Sequence, residues 1–355
     1  MALSPNYGFP EPDNSSLVKN GAQDIRALGD AVDTAVWNVG YGQAGKNKII
    51  NGDFAIWQRG TSFTLTSGDV YTADRWQAKR SGANLTVSRQ SFTLGAAPVA
   101  GYESQYFMRV AATTADDNWG VDQSIEDVRT FAGQTITISF WAKADTARTL
   151  NVYTSQDFNA PTGGSAAVTS AADTKTLTTS WQRFTSTVTL ASIAGKTLGT
   201  GATLLNILFR HPVNSTGQFD IWGVQVEYGA KASPFQTASG NSPQAELAMC
   251  QRYYQVIGSG AAGGADLADR VAVGSSFLVS MRSVPTLALV GQVSVRQRNG
   301  ITTATSPTVA TYYRSTTGYT AVLDGFAGLT AGSGLVVAGD TGSNGNNTFT
   351  LSAEL

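Results

Sequence analysis

Residues that commonly carry catalysis are scarce in this sequence. His211 is the only histidine and Cys250 the only cysteine among 355 residues. No HExxH, GxSxG or glycine-rich phosphate-binding motif is present. A glycoside hydrolase needs two carboxyl groups about 5–10 Å apart, but the neighbouring carboxylates 116–117 and 126–127 fall in loop-like segments where solvated charge is expected. The sequence therefore predicts no enzyme, no catalytic residue and no cofactor.

Aromatic residues are stronger candidates for chemistry, because their rings stack on the apolar faces of sugars. Within the alternating segment 134–143, Trp141 lies on the face opposite the apolar side chains. Tyr153 likewise opposes the apolar positions of 149–154. We predict that Trp141 and Tyr153 line a sugar cleft. The alternative is that these rings, with the other tryptophans, fill the core or a seam between subunits.

A second group of candidate sugar contacts lies near the carboxyl end. Tyr312, Tyr313, Arg314 and Tyr319 follow one another in turn-rich sequence. Exposed tyrosine and arginine offer contact area at low entropy cost, which suits adhesion. Ordinary turn chemistry is the alternative interpretation.

The composition limits the classes of partner. Charged residues make up 14% of the chain, against about 25% in typical soluble proteins, and the net charge is −1. This balance gives no overall attraction to nucleic acid or to an anionic membrane. The first residues lack the pattern of a secretory signal, and no apolar run approaches the roughly 18 residues of a membrane span. We therefore expect synthesis in a cytoplasm, no nucleic-acid partner and no membrane insertion.

The elements that position these residues are predicted to be mainly strands. Alternation without intervening helices favours a two-sheet β-sandwich of jelly-roll type. Ser242 followed by Pro243 predicts the start of a short helix, after which a smaller, distal β domain is expected. The predicted sandwich strands are 48–58, 70–79, 84–94, 105–113, 134–143, 149–154, 181–190, 202–210 and 218–228. The predicted distal strands are 252–257, 270–281, 286–298, 309–314, 319–324 and 347–353, with Gly-rich turns at 258–264 and 331–346.

Residues 15–37 are the best candidate for a long helix. Apolar residues at three-to-four spacing form one stripe, namely Val18, Ala22, Ile25, Leu28 and Val32. Because no domain surrounds this segment, we predict that copies of the chain bury the stripe in a short, coiled-coil-like bundle. Packing on the following domain is the alternative. The preceding 14 residues are expected to form a docking arm, or a disordered terminus.

Several motifs resemble a known family. The segments 47–54 (NKIINGDF), 57–60 (WQRG), 71–76 (YTADRW), 139–143 (SFWAK) and 220–229 (DIWGVQVEYG) resemble a carbohydrate-binding-module jelly roll, a galactose-binding-like sandwich found in tail-fibre and minor virion structural proteins of tailed bacteriophages. The segments 250–254 (CQRYY) and 281–286 (MRSVPT) resemble the region that follows this sandwich in phage fibres, and 13–33 is similar to the tail-proximal helix.

The resemblance implies a homotrimeric fibre on the virion surface, made in the host cytoplasm. Its N-terminal arm and helix (1–47) would attach to other virion proteins. The resemblance does not distinguish the tail from the head, and we expect the tail. The jelly roll (48–230) and the short helix with the distal β domain (231–355) would carry host attachment, binding a surface polysaccharide or protein receptor without catalysis. Two alternatives stay open: a purely structural head fibre, decoration or tail adaptor protein, and a capsule depolymerase.

Sandwiches of this kind often hold Ca²⁺ near the first and last strands. Asp53 and Asp220 occupy comparable positions here. Two carboxylates are too few for a full oxygen shell without carbonyls and water. No metal is therefore expected.

Overall fold

The computed structural model describes residues 2–3, 9–11, 20–39, 45–82, 84–99, 102–116, 119–212, 215–257, 262–290, 293–297, 300–304, 308–338 and 348–355. Over these residues the chain is mainly β, with antiparallel sheets and two α-helices. The first elements are β1 (Ala2–Leu3), β2 (Pro10–Glu11) and α1 (Gly21–Val39).

Two antiparallel sheets face each other in the first half of the chain. One has the order β11-β10-β14-β8-β5-β4, with β12 also paired to β10; the other has the order β13-β9-β15-β7-β6-β3. This arrangement agrees with the predicted sandwich. Its strands are β3 (Ser62–Leu65), β4 (Val70–Tyr71), β5 (Trp76–Arg80), β6 (Leu85–Ser91), β7 (Tyr106–Asp116), β8 (Trp119–Glu126), β9 (Thr135–Ala144), β10 (Arg148–Asp157), β11 (Val168–Thr169), β12 (Asp173–Leu177), β13 (Gln182–Thr189), β14 (Leu204–His211) and β15 (Ser215–Tyr228).

Alternating apolar residues from both sheets build one core. Ile138 and Phe140 of β9 meet Val152 of β10 and Phe209 of β14 in a single buried cluster. The rings of Phe140 and Phe209 lie 5.0 Å apart, edge to face, and so connect the two sheets. The clearest alternation in the sequence, at 135–143, therefore marks a central strand correctly.

The predicted strand at 48–58 is wrong. This segment is a buried turn, because Asn51 and Phe54 adopt left-handed backbone conformations, with φ of 57° and 55°, that a strand does not accommodate. The Asn51 side chain replaces ladder hydrogen bonds, since its Oδ1 accepts from the Ile56 N–H and its Nδ2 donates to the carbonyls of Ile56 and Asp74. The other predicted sandwich segments contain strands, whereas β3, β8, β11 and β12 were not predicted.

The distal region begins with the predicted short helix, α2 (Pro243–Gln251). Ser242 caps it, accepting a hydrogen bond from the Ala245 N–H. Two sheets follow, with orders β16-β25-β19 and β21-β20-β24-β17-β18-β23-β22. The segments predicted as turns hold β17 and β24. The distal strands are β16 (Tyr254–Ile257), β17 (Ala262–Leu267), β18 (Arg270–Ser276), β19 (Thr286–Val290), β20 (Val293–Gln297), β21 (Gly300–Ala304), β22 (Thr308–Arg314), β23 (Gly318–Asp324), β24 (Gly334–Ala338) and β25 (Thr348–Ser352).

A charged and aromatic junction joins the sandwich to the distal region. The Glu354 carboxylate pairs with both Arg59 and Arg75 of the sandwich. The Arg59 guanidinium stacks on Tyr254 at 3.6 Å, and that of Arg75 stacks on Tyr253 at 3.5 Å. Apart from Glu354, these residues come from the WQRG, YTADRW and CQRYY motifs, so part of the resemblance lies in an interface within the chain. The predicted domain boundaries stay predictions.

The helix α1 presents its predicted apolar stripe to solvent within a single chain. Ile25 is 69% exposed, Ala22 and Val32 are also exposed, and Leu28 is half-buried. Val18 lies outside the described residues. No helix in the described part of the chain is long and apolar enough to span a membrane.

Candidate functional site

The outward surface of the seven-stranded sandwich sheet, which contains β10, β14 and β8, carries an aromatic ring among polar groups. Leu150 and Val152 of β10 point into the core, so Tyr153 points outward and is partly exposed. Its cross-strand neighbour is Leu208 of β14, which is itself opposite Asp122 of β8. Paired residues of this kind share one sheet face. We call the surface formed by Asp122, Asn151, Tyr153, Ser155, Asn206, Leu208 and Arg210 the open face.

Two asparagines of the open face flank Tyr153 along the strands. Asn151 is opposite Arg210, and Asn206 is opposite Ser155. The Asn151 Oδ1 accepts from the Thr174 hydroxyl at 2.8 Å, and the Asn206 Oδ1 accepts from a serine hydroxyl at 2.6 Å. Because the oxygens are engaged inside the protein, the amide N–H groups are the part of each asparagine suited to a sugar hydroxyl.

A buried ion pair lies beside the ring. The Arg210 Nη2 donates to the Asp122 Oδ2 at 2.9 Å, although each residue is only 5% exposed. Burial raises the pKa of Asp122, against the opposing effect of the Arg210 charge. Among the described residues, the Asp122 Oδ1 and the Arg210 Nε have no hydrogen-bond partner. Buried polar atoms are rarely left unpaired, so this pair retains hydrogen-bonding capacity inside the protein.

The outward surface of the six-stranded sheet is different, because an aromatic cluster covers it. Trp141 of β9 is 8% exposed and packs 5.3 Å from Trp222 of β15, which is 4.9 Å from Phe235. The Trp141 ring also lies against Gly223, whose φ is +64° and where an added Cβ would come within 2.8 Å of the indole. We call the surface formed by Phe107, Trp141, Trp222 and Phe235 the closed face.

The prediction that Trp141 and Tyr153 line one cleft is wrong. The two residues lie on different sheets, and both point outward, away from the shared core. Trp141 packs within the closed face against Phe235, which belongs to the segment that follows β15. Tyr153 is the member of the pair that reaches solvent.

The distal candidates also separate. Tyr313 is 75% exposed, whereas Tyr319 is buried between Phe277 and Phe349, so Tyr319 is a core residue and not a surface contact. The Arg314 side chain is exposed, and its Nη1 donates to the Pro285 carbonyl at 2.8 Å. Tyr312 lies in β22, but its side chain falls outside the described part of the structure.

The carboxylates of Glu126 and Asp127 are held by arginines. Glu126 pairs with Arg252 and Arg282 at 2.9 and 3.2 Å, and Asp127 pairs with Arg129 at 2.7 Å. Although partial burial acts in the other direction, hydrogen bonds from Arg129 lower the pKa of Asp127. A glycosidase acid must keep its proton near neutral pH, which this environment opposes.

The single histidine and cysteine have structural surroundings. The His211 ring stacks on Trp119 at 4.3 Å, and burial lowers its pKa. Cys250 is fully buried in the last turn of α2, and burial raises its pKa. A nucleophile needs the opposite shift to be activated.

The two carboxylates considered for calcium do not form a shared site. Both Asp220 oxygens accept from Arg109, at 2.7 and 2.9 Å. Asp53 accepts from the Tyr102 hydroxyl at 3.3 Å, and its pKa is raised to about 6 by burial and by the nearby Glu246. The described residues contain no group of three or more His, Cys, Asp or Glu side chains placed to hold a metal.

Sequence reasoning missed Asp122 and Arg210. The strand β8 was not predicted because its central residues, Asp122, Gln123 and Ser124, are polar and hide the alternation. Arg210 did carry a signal, since it follows the apolar alternation of Leu205, Ile207 and Phe209 and therefore had to point outward.

Comparisons with known proteins find partial structural likeness. No family model matches the chain, and no curated protein sequence matches it. A solved CBM4 structure is 21% identical, covering 50% of this chain and 98% of its own, with a TM-score of 0.32. The enzymatically active domain of bacteriophage CBA120 tailspike protein 4 is 17% identical, covering 52% of this chain and 22% of its own, with a TM-score of 0.34.

A third solved structure comes from a different functional class. The Stig cyclase Fisc from Fischerella sp. TAU is 15% identical, covering 54% of this chain and 100% of its own, with a TM-score of 0.34. A carbohydrate-binding module, a tailspike domain and a cyclase thus each match about half of the chain to a similar degree. Likeness at this level does not extend to function.

Proposed function

We propose that this chain is a non-catalytic attachment protein of a phage fibre and that its open face binds host surface glycan. The observation that carries the proposal is the open face itself: a partly exposed Tyr153 ring stands between two asparagines and beside the Asp122–Arg210 pair. The motifs that resemble those of phage fibre proteins are the basis for the virion context of the proposal.

The chemistry of the open face fits a saccharide. A sugar ring offers an apolar C–H face to Tyr153 and Leu208, and its hydroxyls can both donate and accept. Asn151 and Asn206 supply amide donors, and the buried Asp122–Arg210 pair lies beneath them. The open face therefore offers an apolar surface to the sugar ring and polar groups to its hydroxyls.

Trimer formation would strengthen such a weak site. The exposed Ile25 and Val32 of α1 need an apolar partner, and a bundle with two further copies supplies one. Three open faces on one fibre then engage a repetitive polysaccharide together, and avidity raises the overall affinity without any new contact.

The test is binding of the full-length protein to immobilised bacterial polysaccharides. We expect Tyr153→Ala to weaken binding roughly tenfold, as loss of a stacked ring does, and Tyr153→Phe to retain most of it. Leu94→Ala is the matched control, because Leu94 is exposed on the same sandwich but away from the open face. Equal binding by the Ala variant and the unmodified protein would show that the open face is not the contact.

A structural role is the second candidate, and the burial of the family motifs favours it. Trp57, Trp76 and Trp222 all lie in the interior, so the shared motifs describe a scaffold that a spacer or head fibre needs equally. Absence of binding to every polysaccharide, combined with incorporation into virions, would favour this role. A fall in polysaccharide length during the same assay would instead indicate a depolymerase.

A further inference from the structure

We propose a second saccharide site on the distal sheet, selective for neutral sugars and independent of the open face. It is a groove of about 620 Å³ at the end of the hairpin β22–β23 and the neighbouring β18. This second site goes beyond the proposed function, because the groove lies in the distal region and its lining predicts the class of sugar that binds.

One cross-strand row forms the centre of the groove. Tyr313 of β22 is opposite Thr320 of β23, which is opposite Gly274 of β18. Partners in register share a sheet face, so an exposed ring, a hydroxyl and a position without a side chain follow one another across three strands. Val271, Val273, Ala321 and Leu323 point to the buried face of the same strands, which confirms that the row faces outward.

Gly274 keeps the groove flat. A Cβ at this position would lie 2.9 Å from the Tyr319 carbonyl oxygen and 3.3 Å from the Thr320 Oγ1. Without it, a sugar ring beside Tyr313 can approach the sheet closely. The rim adds serine and threonine hydroxyls at Ser276, Ser315 and Thr317, and hydroxyls can donate to or accept from a sugar.

The lining determines the ligand class. All of its residues belong to the described part of the chain, and they include no carboxylate and one cation, Arg314. Arg314 is opposite Tyr319, a buried residue, so its side chain leaves the strand on the face away from Tyr313. Its guanidinium is engaged by the Pro285 carbonyl. An acidic sugar would therefore find no counter-charge in the groove, whereas a neutral sugar has no charge to desolvate on entering it.

The experiment uses the full-length chain carrying Tyr153→Ala, so that the open face does not contribute. Neutral glucose hexasaccharides with α-1,4 or β-1,4 linkages, and a galacturonic acid hexamer, are titrated while saturation transfer to the sugar is measured by NMR. We expect binding of a neutral hexasaccharide and no binding of the acidic one.

Three further substitutions in this background separate stacking from folding. Tyr313→Ala should weaken binding roughly tenfold and Thr320→Val about threefold, while Tyr313→Phe should retain it. Leu278→Ala is the matched control, because Leu278 and Tyr313 are both 75% exposed; it should change nothing. Unchanged melting temperatures show that the fold is retained.

The outcomes distinguish the second site from the proposed function. Absence of neutral-sugar binding in the Tyr153→Ala background, binding that survives Tyr313→Ala, or a preference for the acidic hexamer would each overturn the second site. If the unmodified chain binds and Tyr153→Ala abolishes all binding, the open face stands and the second site does not. If Tyr153→Ala changes nothing and Tyr313→Ala abolishes binding, the second site stands and the open face does not.

Discussion

The closed face and the open face are both built from alternating strands whose aromatic side chains point outward, but the rings are buried on the first and partly exposed on the second. On the six-stranded sheet, Trp141 and Trp222 point outward and are then covered by Phe92, Tyr102 and Phe235 from segments outside the strands. On the seven-stranded sheet, Tyr153 points outward and remains partly exposed. An outward aromatic residue is therefore part of the scaffold where a connecting segment covers it, and part of a contact surface where none does.

The largest expected effect lies on the closed face. Trp222→Ala removes a fully buried indole that touches four other rings, and we expect the free energy of unfolding to fall by about 3–5 kcal/mol. Chemical denaturation of the full-length protein measures this, with Leu94→Ala as the exposed control. A loss near zero would mean that the closed face contributes little to stability and is not a second core.

The direction of Trp141 could be predicted from the sequence, but its burial could not. Alternation at 135–143 placed it outward correctly, since side chains in a strand have a period of two. The Phe235 ring that packs on it comes from the segment after β15, which has no periodicity. Tertiary packing of irregular chain has no short-range signal, so the exposure of an outward residue cannot be read from its own strand.

Other failures have local causes. The segment 48–58 alternates in type, but two left-handed residues turn it away from a sheet. The distal segment 331–346 was predicted as a turn from its glycines, yet β24 lies within it, because Leu335, Val336 and Val337 stand together between those glycines and favour a strand. In contrast, the Ser242–Pro243 signal acts within one helical turn, and the helix α2 that it predicts is confirmed.

The second largest effect should come from the ion pair of the open face. Asp122→Asn leaves Arg210 as a buried charge without its counter-ion, so the free energy of unfolding should fall by about 3 kcal/mol. Denaturation of Asp122→Asn, Arg210→Gln and the double variant measures the coupling. The double variant should lose less than the two single losses added together. Full additivity would mean that the two side chains do not form a pair, and the open face would lose its polar centre.

A pH effect of intermediate size tests the segment that covers the closed face. Tyr102, which packs on Trp222, donates to Asp53, and the pKa of Asp53 is raised to about 6 by burial. The folded protein therefore holds this proton more tightly than the unfolded chain, whose Asp titrates near 4. The contribution of Asp53 to the free energy of unfolding should be greatest below pH ~4 and fall by about 2 kcal/mol as the pH rises through about 6.

Denaturation of the unmodified protein and of Asp53→Asn at several pH values measures this contribution. The substitution should flatten the slope only in part, because burial also raises the pKa of Asp74 to about 6. An unchanged slope in Asp53→Asn would mean that Asp53 titrates as an exposed carboxyl, and that the cover over the closed face is looser than its packing suggests.

The smallest effect on stability is expected for Tyr153→Ala. This variant therefore distinguishes the open face most clearly from the closed face. The ring lies on the open face outside the core, so its removal should lower the free energy of unfolding by less than about 1 kcal/mol, while glycan binding falls. Measuring unfolding and binding on the same preparation separates the two. If Tyr153→Ala destabilised the protein as much as Trp222→Ala, the two faces would be alike, and Tyr153 would belong to the scaffold. Only a contact residue should produce a large loss of binding at nearly constant stability. Substitution of a scaffold residue lowers glycan binding and the free energy of unfolding together.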